Sequence, residues 1–157
     1  MSLTDLTWLA LAAYAVHMLE EHELDWRNWA RGVIGLPVEW SDFYVTNAIV
    51  VVLGIAAAGL AANQPMLALA FPALMLINAT FFHVAPMIWT RGRYSPGVFT
   101  AVVLFYPIGL ACYWRAQADG ALDARTLIVS FVIGALLMAS PIVLLRVKNK
   151  PYFRQDL

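Results

Sequence analysis

Between Tyr14 and Gly32 the chain reads YAVHMLEEHELDWRNWARG, where an apolar run that begins at Leu3 meets His17, Glu20, Glu21, His22, Glu23 and Asp25. On a helix His17, Glu20, Glu21 and Leu24 stand at i, i+3, i+4 and i+7 and share one stripe, from which His22 projects away. An imidazole and two carboxylates therefore face one neighbour. Adjacent carboxylates in a low dielectric repel, and a divalent metal, a histidinium or a shared proton would each relieve the conflict. Two imidazoles and a carboxylate on a metal leave a coordination position open, where bound water turns acidic and a carbonyl or phosphoryl group is polarised. His83 supplies the second imidazole, so His17, Glu21 and His83 are the expected ligands, with Glu20 a nearby base or an extra ligand. The usual zincin spacing HExxH is absent.

The same residues fit other chemistries. In a metal-free version one glutamate activates water while His83 and an asparagine, Asn47 or Asn78, stabilise an oxyanion. A di-iron oxygenase needs more carboxylate and histidine ligands than the chain assembles easily. A binding protein or small transporter would use the glutamates as proton or cation sites, although no internal repeat is visible.

Membrane-crossing helices must position these groups. The 157 residues are 62% hydrophobic and 13% charged, more apolar surface than a soluble domain of that length can hide. Five segments, at about 3–22, 43–62, 66–90, 98–114 and 126–145, reach the ~17–25 residues that a spanning helix needs. The expected fold is all-α: one polytopic membrane domain over 1–157, with five transmembrane helices and a short interfacial helix after the first. The first segment has no basic leader or clear cleavage site and carries Asp5, so it reads as a retained helix. Cys112, inside the fourth, excludes an internal disulfide.

With five spans, Arg27, Arg31, Arg91, Arg93, Arg146, Lys148, Lys150 and Arg154 share one face, and only Arg115 and Arg125 occupy the other. Eight against two puts the N-terminus outside and the C-terminal tail in the cytoplasm. The tail RVKNKPYFR is then a topological anchor, with no need of a nucleic-acid partner. The short Asn63–Pro65 turn makes spans two and three antiparallel neighbours, and GIAAAGLAA permits close helix contact. Pro72, Pro86, Pro107 and Pro141 kink the later spans and free carbonyls, which helps to shape a cavity. Ser95 as N-cap and Pro96 as first helical residue open span four, and Ser41 with Asp42 caps span two.

Trp26, Trp29 and Trp40 belong at the headgroup level. If the first helix continues to Trp26, Glu20 and Glu21 lie roughly 8–9 Å below its indole and His17 about 13 Å below. An ionised side chain at that depth must be paired or line a wet cavity. Alternation of the spans brings Asn47, Asn78, His83 and Thr100 to the same cytoplasmic half or to mid-membrane, with Tyr94 and Tyr106 as outer partners. Asn47 and Asn78 serve the chemistry or link helices by hydrogen bonds. His22, Glu23 and Asp25 are expected in water.

HMLEE, His17 to Glu21, resembles the signature of the HXXEE membrane proteins, a small bacterial polytopic group. Similar members carry an asparagine and a histidine in a later span, matched here by Asn78 and His83 in NATFFH. The resemblance covers nearly the whole chain. It implies one site and a bacterial inner membrane, and it implies no particular reaction. The leading expectation is a metal-dependent intramembrane hydrolase with zinc or iron, acting on a lipid-like or other membrane-soluble molecule. Its partners would be the lipid bilayer and a hydrophobic small-molecule substrate, with homo-oligomerisation left open.

Overall fold

The computed structural model describes residues 1–148, 150 and 152. Helix dominates them, and no strand is present among the described residues. The chain runs through α1 (Leu3–Glu23), α2 (Trp26–Val33), α3 (Trp40–Leu60), α4 (Pro65–Trp89), α5 (Val98–Ala118) and α6 (Ala124–Lys148). Four of these, α3 to α6, are long and apolar enough to cross a membrane. The expected fifth, α1, has the length at 21 residues but carries Asp5, His17, Glu20, Glu21 and Glu23.

The interior is largely apolar, but it also buries polar groups while large apolar side chains cover much of the outside. Thr7, His17, Glu21, Asn47, Asn78, His83, Ser95, Thr100, Thr126 and Ser130 are buried, while large apolar side chains such as Leu19, Val52, Phe99 and Leu136 face outward. That pattern fits a lipid surroundings and an interior held together by hydrogen bonds. Tyr113, for example, links α5 to Ser130 of α6 at 2.8 Å and to the Leu69 carbonyl of α4 at 3.1 Å. Small residues allow close helix approach: a Cβ on Gly134 of α6 would lie 2.8 Å from the Leu74 backbone nitrogen of α4.

The first helix does not continue to Trp26. It ends at Glu23, and Asp25 turns the chain in a left-handed conformation (φ 58°) before capping α2 through the Asn28 N–H. The depth reckoned along one unbroken helix therefore fails. What buries the motif is protein, chiefly the start of α5 and the loop before it. Arg27 and Arg31 of α2 pair with Glu39, which begins α3. The hydrogen bond from Arg27 holds the Glu39 carboxyl below the usual carboxylate range. Glu39 and Asp42 form the capping box of α3, in place of the expected Ser41 and Asp42.

Consecutive helices reverse direction, so the ends of α1, α4 and α6 meet the beginnings of α3 and α5. The Lys148–Asp42 ion pair and the hydrogen bonds from α5 to Glu20 mark that shared end. Arg27, Arg31, Arg91, Arg93, Arg146, Lys148 and Lys150 follow it, and Arg154 lies outside the described residues.

Two of the prolines act as expected on their helices, in a specific form. Proline lacks the N–H that would bond four residues back. The turns before Pro86 and Pro107 widen into π-helix over Ala79–Val84 and Ala101–Phe105, where Ala85 N–H reaches Thr80 O and Tyr106 N–H reaches Ala101 O. Serines take up carbonyls four residues before a proline: Ser140 Oγ donates to Leu137 O at 2.8 Å and Ser95 Oγ to Phe82 O at 3.4 Å. Such π segments are frequent at functional sites, and these two flank one.

Candidate metal centre

One turn of α1 brings His17 and Glu21 onto the same line, and the π segment of α4 turns His83 toward them. Glu21 Oε1 lies 3.5 Å from His17 Nε2 and 3.4 Å from His83 Nε2. The two rings meet edge to face at 4.8 Å between centroids. Both histidines are 0% exposed and Glu21 is 5% exposed. One ligand atom from each residue lies within 4.8 Å of the others.

A hydroxyl stands on the far side of each ring. His17 Nδ1 lies 2.8 Å from Thr100 Oγ1, which itself lies 2.6 Å from Glu20 Oε2 and 3.2 Å from the Gly97 carbonyl. Those two oxygens only accept, so the single Thr100 hydroxyl proton goes to Glu20 and Oγ1 accepts Nδ1–H from His17. At His83, Nδ1 lies 3.2 Å from Ser95 Oγ, which itself lies 3.4 Å from the Phe82 carbonyl, so with the Ser95 proton on that carbonyl Oγ would accept Nδ1–H in the same way. With both Nδ1–H groups donated outward each Nε2 would present a lone pair, and neither Nε2 has a hydrogen-bond partner. Two imidazole lone pairs and a carboxylate converge in a buried space with no donor between them. Metal-binding histidines are held in this way, with the outer N–H donated to an oxygen.

Gly97 forms the wall against both rings. Its φ is +96°, and a Cβ there would lie 2.6 Å from His83 Cε1 and 2.8 Å from His17 Cε1. Only glycine meets both demands, a left-handed backbone and room for two imidazoles. The helix accordingly starts after Gly97, its N-cap, and the expected Ser95 cap serves as the acceptor for His83 instead.

Glu20 turns away from its neighbour. Oε1 accepts from Tyr94 OH at 2.6 Å, Gly97 N–H at 3.1 Å and Phe99 N–H at 3.2 Å, and Oε2 accepts from Thr100 N–H at 2.8 Å as well as from its hydroxyl. The two carboxylates do not share a site, and Glu20 has neither a ligand position nor a free lone pair for a base. It clasps the start of α5, where unpaired N–H groups favour an anion. Burial and then the Glu20 contact push the Tyr94 hydroxyl up to about 12.

The asparagines stand outside the trio. Asn47 accepts from Tyr14 OH at 2.8 Å and donates to the Phe43 carbonyl at 3.0 Å, which ties α1 to α3. Asn78 donates only to Met138 Sδ at 3.8 Å, and its Oδ1 has no partner. Both line a cavity of about 70 Å³ that reaches Glu21. His22 is exposed and bonds Tyr44 OH at 3.1 Å, and Tyr106 bonds Thr80 at 3.0 Å. Ser95, Gly97 and the Thr100 contact carry the geometry of both rings; the sequence brought Thr100 to this half of the bundle and offered Ser95 only as a cap, while Gly97 was given no role.

Fold and site together define a helical protein of membrane type with a His–Glu–His acceptor cluster buried at one end of its bundle. The chain belongs to the HXXEE family, proteins of unknown function with an HXXEE motif, which it matches over residues 8–112. His17, Glu20 and Glu21 are the motif's histidine and glutamates, and His83, Gly97 and Thr100 lie within the same matched span. No curated protein and no solved structure matches the chain.

Proposed function

We propose that this protein is an integral membrane enzyme in which His17, Glu21 and His83 hold one divalent metal, zinc or iron, and that metal-bound water hydrolyses a membrane-dissolved substrate. The observation that carries this reading is the convergence of three buried acceptors with no donor among them. Zinc bonds of about 2.0–2.1 Å in a tetrahedron set ligand–ligand separations of about 3.3–3.4 Å. The two carboxylate–imidazole separations are 3.4 and 3.5 Å, and the three ligand atoms lie within 4.8 Å of one another, so the two imidazoles would have to close on a bound ion. A shared proton would instead draw each pair to about 2.7–2.9 Å, so the spacing favours a metal over a proton site and over a proton-coupled carrier. Three protein ligands leave a fourth position for water, the arrangement of catalytic rather than structural zinc. A metal held there would supply water acidified to a pKa of about 7.

Glu21 is then a ligand, Glu20 a clasp that holds Thr100 and through it His17, and Asn47 and Asn78 line the approach. Helix α1 serves as a fifth span. Its 21 residues extend about 31 Å, and its outward side chains include Trp8, Leu9, Val16 and Leu19, while His17 and Glu21 face inward. The basic end, and the site with it, would lie at the cytoplasmic face of a bacterial inner membrane.

Elemental analysis of protein purified in detergent tests the reading. About one equivalent of zinc or iron is expected, lost from His17→Ala, His83→Ala and Glu21→Gln. Less than about a tenth of an equivalent after reconstitution with either metal would sink it.

A further inference from the structure

Among the described residues α3 packs on α1 and α4, while α6 packs on α4 and meets α3 at few points. The gap between α3 and α6 is a furrow with a segment at each end. At the basic end it is lined by Asp42, Val45 and Thr46 of α3 and by Pro141, Leu144 and Lys148 of α6. Toward the other end Leu53 and Ala57 of α3 and Ile133 and Leu137 of α6 line it, with Phe71 of α4 between them. Both helices are long and apolar enough to cross a membrane, so in a bilayer the furrow opens on lipid. From Asp42 to Leu53 α3 rises roughly 16 Å, close to the ~15 Å of hydrocarbon in one leaflet.

The furrow shares a wall with the cavity beside the proposed metal. Asp42, Thr46, Pro141 and Leu145 line the outer groove and also the inner cavity of about 70 Å³, which Glu21 lines as well. Thr46 and Pro141 are half-buried, so the partition is one layer of side chains thick. It is weakened on the α6 side, because Pro141 has no N–H for the Leu137 carbonyl, which takes the Ser140 hydroxyl instead at 2.8 Å. A second groove, between α1 and α3, shares Phe43 and Asn47 with the cavity. There the two helices pack together and the Tyr14–Asn47 hydrogen bond, at 2.8 Å, ties them.

We infer that the seam between α3 and α6 is a lateral doorway for a single-chain lipid, whose chain lies in the furrow and whose reacting head group enters the cavity. This names the substrate class of the proposed hydrolase and rests on that reading for the reaction, though not for the binding. A gap between two helices takes one chain. The cavity, at about 70 Å³, is far below the ~300–1,000 Å³ of sites for drug-sized ligands, so the head group is small. Asp42 and Lys148 pair at the mouth and leave no net charge there, which suits an uncharged head group.

The test uses Glu21→Cys in liposomes with chelator present, which sets a thiol at the cavity wall while the native Cys112 is 0% exposed. The probes are dodecyl methanethiosulfonate, the same reactive group on the head of a two-chain phosphatidylethanolamine, and the water-soluble trimethylammonioethyl methanethiosulfonate. Intact mass reports the modified fraction. The dodecyl reagent should react about tenfold or more faster than either of the others. Thr46→Trp fills the partition and should slow that reaction about tenfold or more, whereas Ala48→Trp, in the α1–α3 groove, should change it less than about twofold. Equal rates for the three reagents, no reaction, or slowing by Ala48→Trp in place of Thr46→Trp overturns the inference. The reagent comparison needs no tryptophan variant, so poor folding of Thr46→Trp does not shelter it. Met138→Cys, on the same cavity, repeats it with the trio intact. Metal analysis of the wild type separates the two readings. Chain-dependent labelling with no metal in the wild type supports the doorway and refutes the metal centre, whereas stoichiometric zinc without chain-dependent labelling refutes the doorway alone.

Discussion

Replacing Gly97 with alanine should cost the protein its metal while leaving most of the fold in place. The new Cβ would lie 2.6 Å from His83 Cε1 and 2.8 Å from His17 Cε1, where ordinary contact begins at 3.4 Å. The rings must therefore retreat by about 0.8 Å and 0.6 Å, against a tolerance of about 0.2 Å for metal–ligand distances. His17 has little room to yield, because Phe105 stands 4.3 Å behind it between ring centroids. The left-handed backbone adds about 1–2 kcal/mol and the overpacking about 1–3 kcal/mol. Zinc affinity, measured by competition with a chromophoric chelator, should fall about 10–100-fold, the usual loss when a ligand's supporting contacts are disturbed. Gly92→Ala is the control: its φ is +94°, and a Cβ there meets nothing within 4 Å. It carries the backbone cost without the clash. Zinc affinities of the two variants within about twofold of each other would refute the argument that Gly97 sets the imidazoles.

Thr100→Val removes the acceptor for His17 Nδ1–H and should lower zinc affinity about 10–100-fold, while Thr100→Ser, which keeps the hydroxyl, should stay within a few-fold of wild type. Burial and the Glu20 contact push the Tyr94 hydroxyl up to about 12, so the folded state prefers its protonated form. That contribution is complete below pH 10, fades as pH rises through about 12, and should appear as a fall in thermal midpoint that is absent from Tyr94→Phe. Gly134→Ala sets a Cβ against the backbone of α4 and should cost about 1–3 kcal/mol in thermal unfolding, with zinc affinity unchanged because the site is untouched.

Long apolar runs made the helical bundle legible, since lipid removes the need for a polar outer face and leaves hydropathy as a direct marker of span. The trio was legible for a related reason. A histidine and a glutamate at i and i+4 must share a face, and a lone histidine in a later apolar helix needs a polar partner. Other features depended on contacts far along the chain. Glu20 finds its donors at Tyr94 to Thr100, seventy-four to eighty residues away, so local spacing put it beside Glu21. The break at Leu24–Asp25 arises from a left-handed turn that an aspartate can adopt but does not announce. The π turns stand just ahead of Pro86 and Pro107, whose positions were visible while the direction in which they would rotate His83 and Thr100 was not.

The adjacent glutamates of the motif, alike in charge, should respond oppositely to the same substitution. At position 20 every lone pair meets a donor, so the amide of Glu20→Gln opposes the Tyr94 hydroxyl and two backbone N–H groups at one oxygen, or the Thr100 N–H at the other. That change should destabilise the metal-free protein by about 1–3 kcal/mol. At position 21 the surroundings are reversed, because Oε1 faces two imidazole lone pairs. An amide nitrogen there supplies both missing donors and removes a buried charge, so Glu21→Gln should stabilise the metal-free protein by about 1–3 kcal/mol while abolishing metal binding. Thermal unfolding of both variants in chelator-treated detergent solution measures the signs. Destabilisation by both would mean that Glu21 is already paired in the metal-free state, by a proton held on one of the histidines, and the three-acceptor reading would fall.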